Sequence, residues 1–198
     1  MKLYGTKKKR LTERRTKMLT ETIICGFGGQ GVLFTGKLLA YAALYQGKEL
    51  SWMPSYGPEM RGGTCNCSVC LSDEPIGSPL VNTPDVLIAM NEPSFDKFES
   101  TVKPGGIIFA DSSIIGKKSV RDDVTCFYIP STELAKENNL TGMANIIILG
   151  KVIRECSDRL LGINYDMIVS AFEKIIPPKK AALVEKNVNA FKIGYDYK

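Results

Sequence analysis

Three stretches of this 198-residue sequence combine residue types and spacings that could do chemistry. Residues 24–39, ICGFGGQGVLFTGKLL, place five glycines within eleven positions ahead of a helix-like apolar pattern. Residues 56–63, YGPEMRGG, set a glutamate and an arginine among three glycines and a proline, and residues 64–70, TCNCSVC, carry three cysteines. A glycine turn that opens a helix frees backbone N–H groups and aims the positive end of the helix dipole at an anion, so the first stretch suits a phosphate. The cysteines suit a cluster less well. Ferredoxin-type ligation needs four thiolates, usually in C-x-x-C-x-x-C runs, whereas strand alternation puts Cys65 and Cys67 on one face and Cys70 on the other. Small buried thiols are expected there, with no metal site. The sequence has no histidine, so the usual acid–base group at neutral pH is missing and no catalytic residue is assigned to this chain alone.

Which phosphate the loop would hold is open on these residues. Gly26, Gly28 and Gly31 match the dinucleotide pattern G-x-G-x-x-G. Its partner, an acidic residue about 20 positions on that caps the second strand and holds a ribose, is poorly supplied: the candidate, Glu49, falls at that strand's beginning. GVLFTGKL (31–38) nearly fits the ATP-binding pattern G-x-x-x-x-G-K-[ST], but Leu38 stands where the magnesium-binding hydroxyl belongs. Two readings remain beside these: glycines that only let helix and strand pack closely, and a different phosphate ligand.

The elements that must position these residues follow from periodicity. ETIIC (21–25) reads as a strand, and residues 30–46 as a helix with Val32, Leu33, Gly36, Leu39, Ala40 and Ala43 at three- and four-residue steps, closing at Gly47. ELSWMPS (49–55) is a second strand whose Pro54 limits further pairing. TCNCSVCLS (64–72) alternates as a half-buried strand. PDVLIAM (84–90) and VTCFYIPS (124–131) are strands, KPGGIIFADSS (103–113) gives a turn followed by another buried strand, EPSFDKFES (92–100) between them starts like a helix, and Ser131 is read as the N-cap of TELAKEN. From residue 142 onward the sequence is helical, broken by Pro177 and Pro178. The fold class expected is α/β: a three-layer Rossmann-like domain with a mostly parallel sheet, at least one antiparallel strand and a helical C-terminal third.

At 44% hydrophobic the chain can bury one sizeable core, and residues 21–198 are read as a single domain. Residues 1–21 hold 8 basic and 2 acidic side chains, which leaves 18 basic and 19 acidic in the rest. The net charge of +5 therefore sits in the tail, read over residues 1–20 as a solvated, mobile extension, with Met18 a possible alternative start. Nucleic-acid binders spread charge over a folded face, so no nucleic-acid partner is expected. No long apolar run or apolar leader is present, and the expectation is a soluble, cytoplasmic protein with free thiols and no membrane partner.

GFGGQGVLFTGK (26–37) followed by PSYGPEMRGGTCNCSVCLSDEPIGSP (54–79) resembles the gamma subunit of the 2-oxoacid:ferredoxin oxidoreductases. The likeness runs over roughly residues 20–185 and is nearest to the 2-oxoglutarate members; the pyruvate and indolepyruvate branches share the domain. The second segment, with Tyr56, Gly57, Pro58, Glu59, Arg61, Gly62 and Gly63, is the more specific. The resemblance implies an enzyme that decarboxylates a 2-oxoacid on thiamine diphosphate, passes two electrons through iron–sulfur clusters to ferredoxin and releases an acyl-CoA. It implies alpha and beta subunits that carry thiamine, magnesium and the clusters, room for a ferredoxin-like delta subunit, and a gamma chain, inactive alone, that helps bind coenzyme A. The N–H groups of Gly28, Gly29, Gln30 and Gly31 would then receive a phosphate of coenzyme A, with Lys37 about two turns into the helix as a second contact. Arg61 could pair bidentately with a carboxylate or phosphate, and Glu59 could anchor its loop or face a partner. Asn91, at the carboxyl end of strand VLIAM, is either a ligand contact or a loop cap. A stand-alone NAD(P)-binding module is the competing function.

Overall fold

The apolar strands stack into one six-stranded sheet in the order β2-β3-β1-β4-β5-β6. The structure, a computed structural model, describes residues 18–56 and 64–198. The strands are β1 (Leu19–Phe27), β2 (Glu49–Tyr56), β3 (Thr64–Ser72), β4 (Val86–Ala89), β5 (Ile107–Asp111) and β6 (Thr125–Ile129). Pairs β1/β4, β4/β5 and β5/β6 are parallel, and β3 lies antiparallel to both β1 and β2. The expected mostly parallel α/β sheet is thus present, with β3 as the reversed strand. The helices are α1 (Val32–Tyr45), α2 (Glu92–Phe98), α3 (Ser131–Glu137), α4 (Ala144–Cys156), α5 (Tyr165–Ile175) and α6 (Ala182–Asp196).

The layers are unequal. Ile24, Val69, Leu39, Phe109, Phe172 and Phe191 belong to the main core, under α1 and the C-terminal helices. The opposite face buries a smaller cluster, Ile23, Leu87, Phe95 and Ile108, beneath the short α2. Strands β4 and β5 are buried on both faces, which is why they read as unbroken apolar runs. Helices α4 and α6 cross where each has a glycine: a Cβ on Gly150 would come 2.1 Å from the Phe191 carbonyl oxygen, and one on Gly194 1.7 Å from that of Ile147.

Several expectations need correcting. β3 is not half-buried; Cys67 through Ser72 are buried on both faces, because the strand is interior to the sheet, with α1 against one side and Cys70 beside the Lys103–Glu21 ion pair on the other. Ser131 does not cap α3. It is the helix's first residue, with Pro130 at the cap, and the Asp111 carboxylate takes the cap's place, accepting from the Thr132 N–H at 3.3 Å and the Thr132 hydroxyl at 2.6 Å. Strand β1 begins two residues inside the stretch read as an extension, where the Thr20 hydroxyl donates to the Arg159 carbonyl; the rest of that extension, residues 1–17, lies outside the described residues. Pro54 sits on β2, at the sheet edge, as a strand proline should. Among the described residues no helix is long and apolar enough to cross a membrane.

Candidate functional site

Strand β1 ends at Phe27 and α1 begins at Val32, so a four-residue turn joins them. Gly29 and Gly31 hold φ of +96° and +78°, in the left-handed region that glycine adopts at little cost. Gly31 also has no room for a side chain, since a Cβ would lie 2.4 Å from Asn145 Nδ2. Around Gly29 the space is open. Gly26 admits the Gln30 side chain, whose Oε1 would be 2.6 Å from a Cβ there.

Gln30 has a different task from the one expected of it. Its own N–H donates to the Phe27 carbonyl at 3.1 Å and is not free for an anion. Its carboxamide accepts from the Phe27 N–H at 2.6 Å and donates to the Met90 carbonyl at 2.8 Å, tying the end of β1 to the end of β4. The Gly31 carbonyl accepts from the Thr35 N–H at 3.0 Å, the Thr35 hydroxyl at 3.2 Å and Asn145 Nδ2 at 3.2 Å. The turn is therefore held from both sides. Within it and the first turn of α1, the N–H groups of Gly28, Gly29, Gly31, Val32, Leu33 and Phe34 find no acceptor among the described residues. No acidic side chain in that turn offsets the helix dipole.

The position in the sheet agrees with this preorganisation. β1 and β4 are neighbours, but the chain leaves β1 through α1 toward β2 and leaves β4 through α2 toward β5. Open α/β sheets bind ligands at the carboxyl ends of strands where connections diverge in this way. Two hollows flank the turn there. One, of about 210 Å³, is walled by Gly29, Met90, Thr132, Lys136 and Ala144; the other, of about 240 Å³, by Phe27, Gly29, Leu33, Phe34 and Cys65.

The other expected site residues scatter. Lys37 points along α1, its Nζ 5.7 Å from the Tyr41 ring centroid, one turn further from the glycines. Asn91 is fully buried and caps α2, its Oδ1 accepting from the Ser94 N–H at 2.9 Å; its Nδ2 has no partner among the described residues. Tyr56 ends β2 and pairs in register with Cys65, which in turn pairs with Gly26. Gly57, Pro58, Glu59, Arg61, Gly62 and Gly63 lie outside the described residues, but both strands that carry their loop end beside the close of β1. Glu49, the acid of the dinucleotide reading, is the first residue of β2, at the opposite end of the strand from this crevice. Burial pushes the Cys67 thiol up to about 12 and the Cys70 thiol up to about 11, so neither is a ready nucleophile at neutral pH. Sequence reasoning missed Thr132, Lys136 and Asn145. The available signal was the TGMAN turn (141–145) opening an apolar helix.

Residues 21–197 match the family model described as pyruvate ferredoxin/flavodoxin oxidoreductase. The chain belongs to that family. Among oxidoreductases of this family it is 36% identical over 189 residues to the 2-oxoglutarate synthase subunit KorC of Methanocaldococcus jannaschii, covering 94% of this chain and 97% of that one. It is 47% identical over 127 residues to the ketoisovalerate oxidoreductase subunit VorA of Methanothermobacter marburgensis, a match over 64% of this chain and 26% of that relative. The chain thus spans about a quarter of the length of VorA. The crystal structure of the keto/oxoacid ferredoxin oxidoreductase gamma subunit from Geobacter sulfurreducens superposes with a TM-score of 0.77 at 28% identity, over 90% of this chain and 95% of that one. The likeness to gamma subunits carried by the glycine turn and the YGPEMRGG loop holds for the family and for the fold.

Proposed function

We propose that this chain is the gamma subunit of a cytoplasmic, coenzyme A-dependent 2-oxoacid:ferredoxin oxidoreductase, and that it holds coenzyme A across the glycine turn. The observation that carries the reading is the row of six N–H groups, in the glycine turn and the first turn of α1, that find no acceptor among the described residues, with no described atom over Gly29. Such a row suits the oxyanions of a diphosphate, and each charge-assisted bond to it is stronger than a neutral one. Gly26, Gly28, Gly29 and Gly31 shape the cradle, Gln30 braces it from below, and Lys37 reaches the ligand by leaving Tyr41. Asn91 supports the crevice through α2, and the loop of residues 56–63, with Arg61 and Glu59, meets the ligand or a partner chain. Coenzyme A supplies a thiol that accepts the acyl group. The chain's own part is to bind and orient: it has no histidine, and the thiols described above are buried.

The overall reaction is 2-oxoacid anion, coenzyme A and two oxidised ferredoxins to acyl-CoA, carbon dioxide, two reduced ferredoxins and a proton, with 2-oxoglutarate proposed as the oxoacid from the KorC likeness. Thiamine diphosphate, magnesium and iron–sulfur clusters belong to alpha and beta partners in this reading, and a ferredoxin-like delta chain is compatible with it. The test is to tag the chain at its C-terminus in its source cells, purify it without oxygen and identify the accompanying chains by mass spectrometry. Near-equal amounts of thiamine- and cluster-binding chains, with coenzyme A-dependent dye reduction fastest on 2-oxoglutarate, are expected. A chain that comes down alone overturns the assignment.

A further inference from the structure

Asn145 reaches the glycine turn from another helix. It is the second residue of α4, whose start has no side-chain cap, so an asparagine, a residue type that favours caps, spends its carboxamide elsewhere. It is 4% exposed and Thr35 is 1% exposed, and buried polar groups of this kind need partners. Asn145 Nδ2 donates to the Gly31 carbonyl at 3.2 Å and to the Thr35 hydroxyl at 3.1 Å, and that hydroxyl donates to the same carbonyl at 3.2 Å. The carboxamide also fills the place a side chain on Gly31 would need, 2.4 Å from its Cβ position. Gly31 is therefore glycine for two reasons, its φ of +78° and the neighbour seated against it.

With the Thr35 N–H at 3.0 Å, the Gly31 carbonyl takes three donors. A carbonyl and the N–H of the following residue belong to one planar peptide group. Donors on the oxygen draw charge from the nitrogen, which makes its N–H the stronger donor, by roughly 10–30% per bond. Here that N–H belongs to Val32, the first residue of α1, where an N–H has no carbonyl within its own helix. We propose that Asn145 is a positioning residue for the turn: it fixes and polarises the Gly31–Val32 peptide, and so sets how tightly the turn holds an oxyanion, without contacting that oxyanion itself. This rests on the reading of the turn as a phosphate cradle.

The test has two readouts: the Val32 amide resonance in a full chain isotope-labelled on valine nitrogen, and the Kd for coenzyme A by equilibrium dialysis against the complex purified through this chain. Asn145→Ala should move the Val32 amide proton upfield and raise the Kd roughly five- to tenfold, about the value of one hydrogen bond. Thr35→Val, which removes the hydroxyl between the two groups, should act in the same direction and carries the test if Asn145→Ala does not fold; Thr35→Ser should stay near wild type. A lowered melting temperature with an unchanged Kd or an unmoved Val32 resonance overturns the inference and leaves the coenzyme A reading standing. If the wild-type complex does not bind coenzyme A, that reading falls, and titration of the full chain with inorganic diphosphate decides the inference. Diphosphate should then shift the Val32 resonance in the wild type and, at the same concentration, shift it less in Asn145→Ala; no shift, or equal shifts, overturns it.

Discussion

At the scale of single residues, the site is built by groups that hold the glycine turn open, and these can be tested without knowing the ligand. Replacing Gln30 with alanine leaves the Phe27 N–H and Met90 carbonyl without the partners described here; stability should fall by about 1–3 kcal/mol, read by denaturant unfolding. Gly31→Ala should cost at least the ~1–2 kcal/mol of a left-handed alanine, and more for the collision with Asn145. Gly29→Ala carries only the backbone part, because no described atom lies near its Cβ position, so the three melting temperatures should fall in the order wild type, Gly29→Ala, Gly31→Ala. Lys37→Ala should weaken coenzyme A binding in the complex; unchanged affinity removes Lys37 from the site and leaves it stacked on Tyr41. The buried thiols give a pH dependence of definite sign. Cys67 and Cys70 are raised from 9.0 to about 12 and about 11 by burial, so the folded chain keeps protons that the unfolded chain releases. Stability is full below pH 9 and is lost as pH climbs through 11 to 12, on the order of 2 kcal/mol for Cys70. Cys70→Ala should flatten the alkaline fall in melting temperature.

At the scale of elements, much was legible and the failures have local causes. The β1–turn–α1 unit follows from glycine spacing and a 3.6-residue apolar repeat, and β4 and β5 from unbroken apolar runs, because those signals are generated within the element itself. The half-buried reading of β3 fails because the strand is interior to the sheet and Cys70 lies beside Glu21 and Lys103, which come from distant parts of the chain. Ser131 looked like a cap, but Asp111, twenty residues earlier, reaches the same helix start. Gln30 looked like an anion donor because its bond to Met90, sixty residues on, has no sequence signature. Asn145, bonded to Gly31 more than a hundred residues earlier, was hidden in the same way apart from the TGMAN turn that opens its helix. The helix crossing at Gly150 and Gly194 was equally hidden, and it carries its own prediction. Gly194→Ala must force α4 and α6 apart, so we expect a loss of about 1–3 kcal/mol or more from overpacking, whereas Gly47→Ala, at a helix end with free space, should cost only the backbone part. Equal effects of the two would show that the crossing is looser than described.

At the scale of the whole molecule, the described strands form one sheet with the glycine turn at the carboxyl ends of β1 and β4, and the chain is a member of a family that includes 2-oxoglutarate synthase and ketoisovalerate oxidoreductase subunits. Family membership and fold do not by themselves fix what the glycine turn holds, since the same G-x-G-x-x-G spacing serves dinucleotides elsewhere. Glu49 at the opposite end of β2 from the turn leaves the nicotinamide reading without its ribose-binding acid. The most direct measurement is a calorimetric titration of the purified complex with coenzyme A and, separately, with NADH. Saturable binding of coenzyme A, weakened by Gly29→Ala, with no heat from NADH is the expected result; saturable NADH binding with no response to coenzyme A would overturn the coenzyme A assignment.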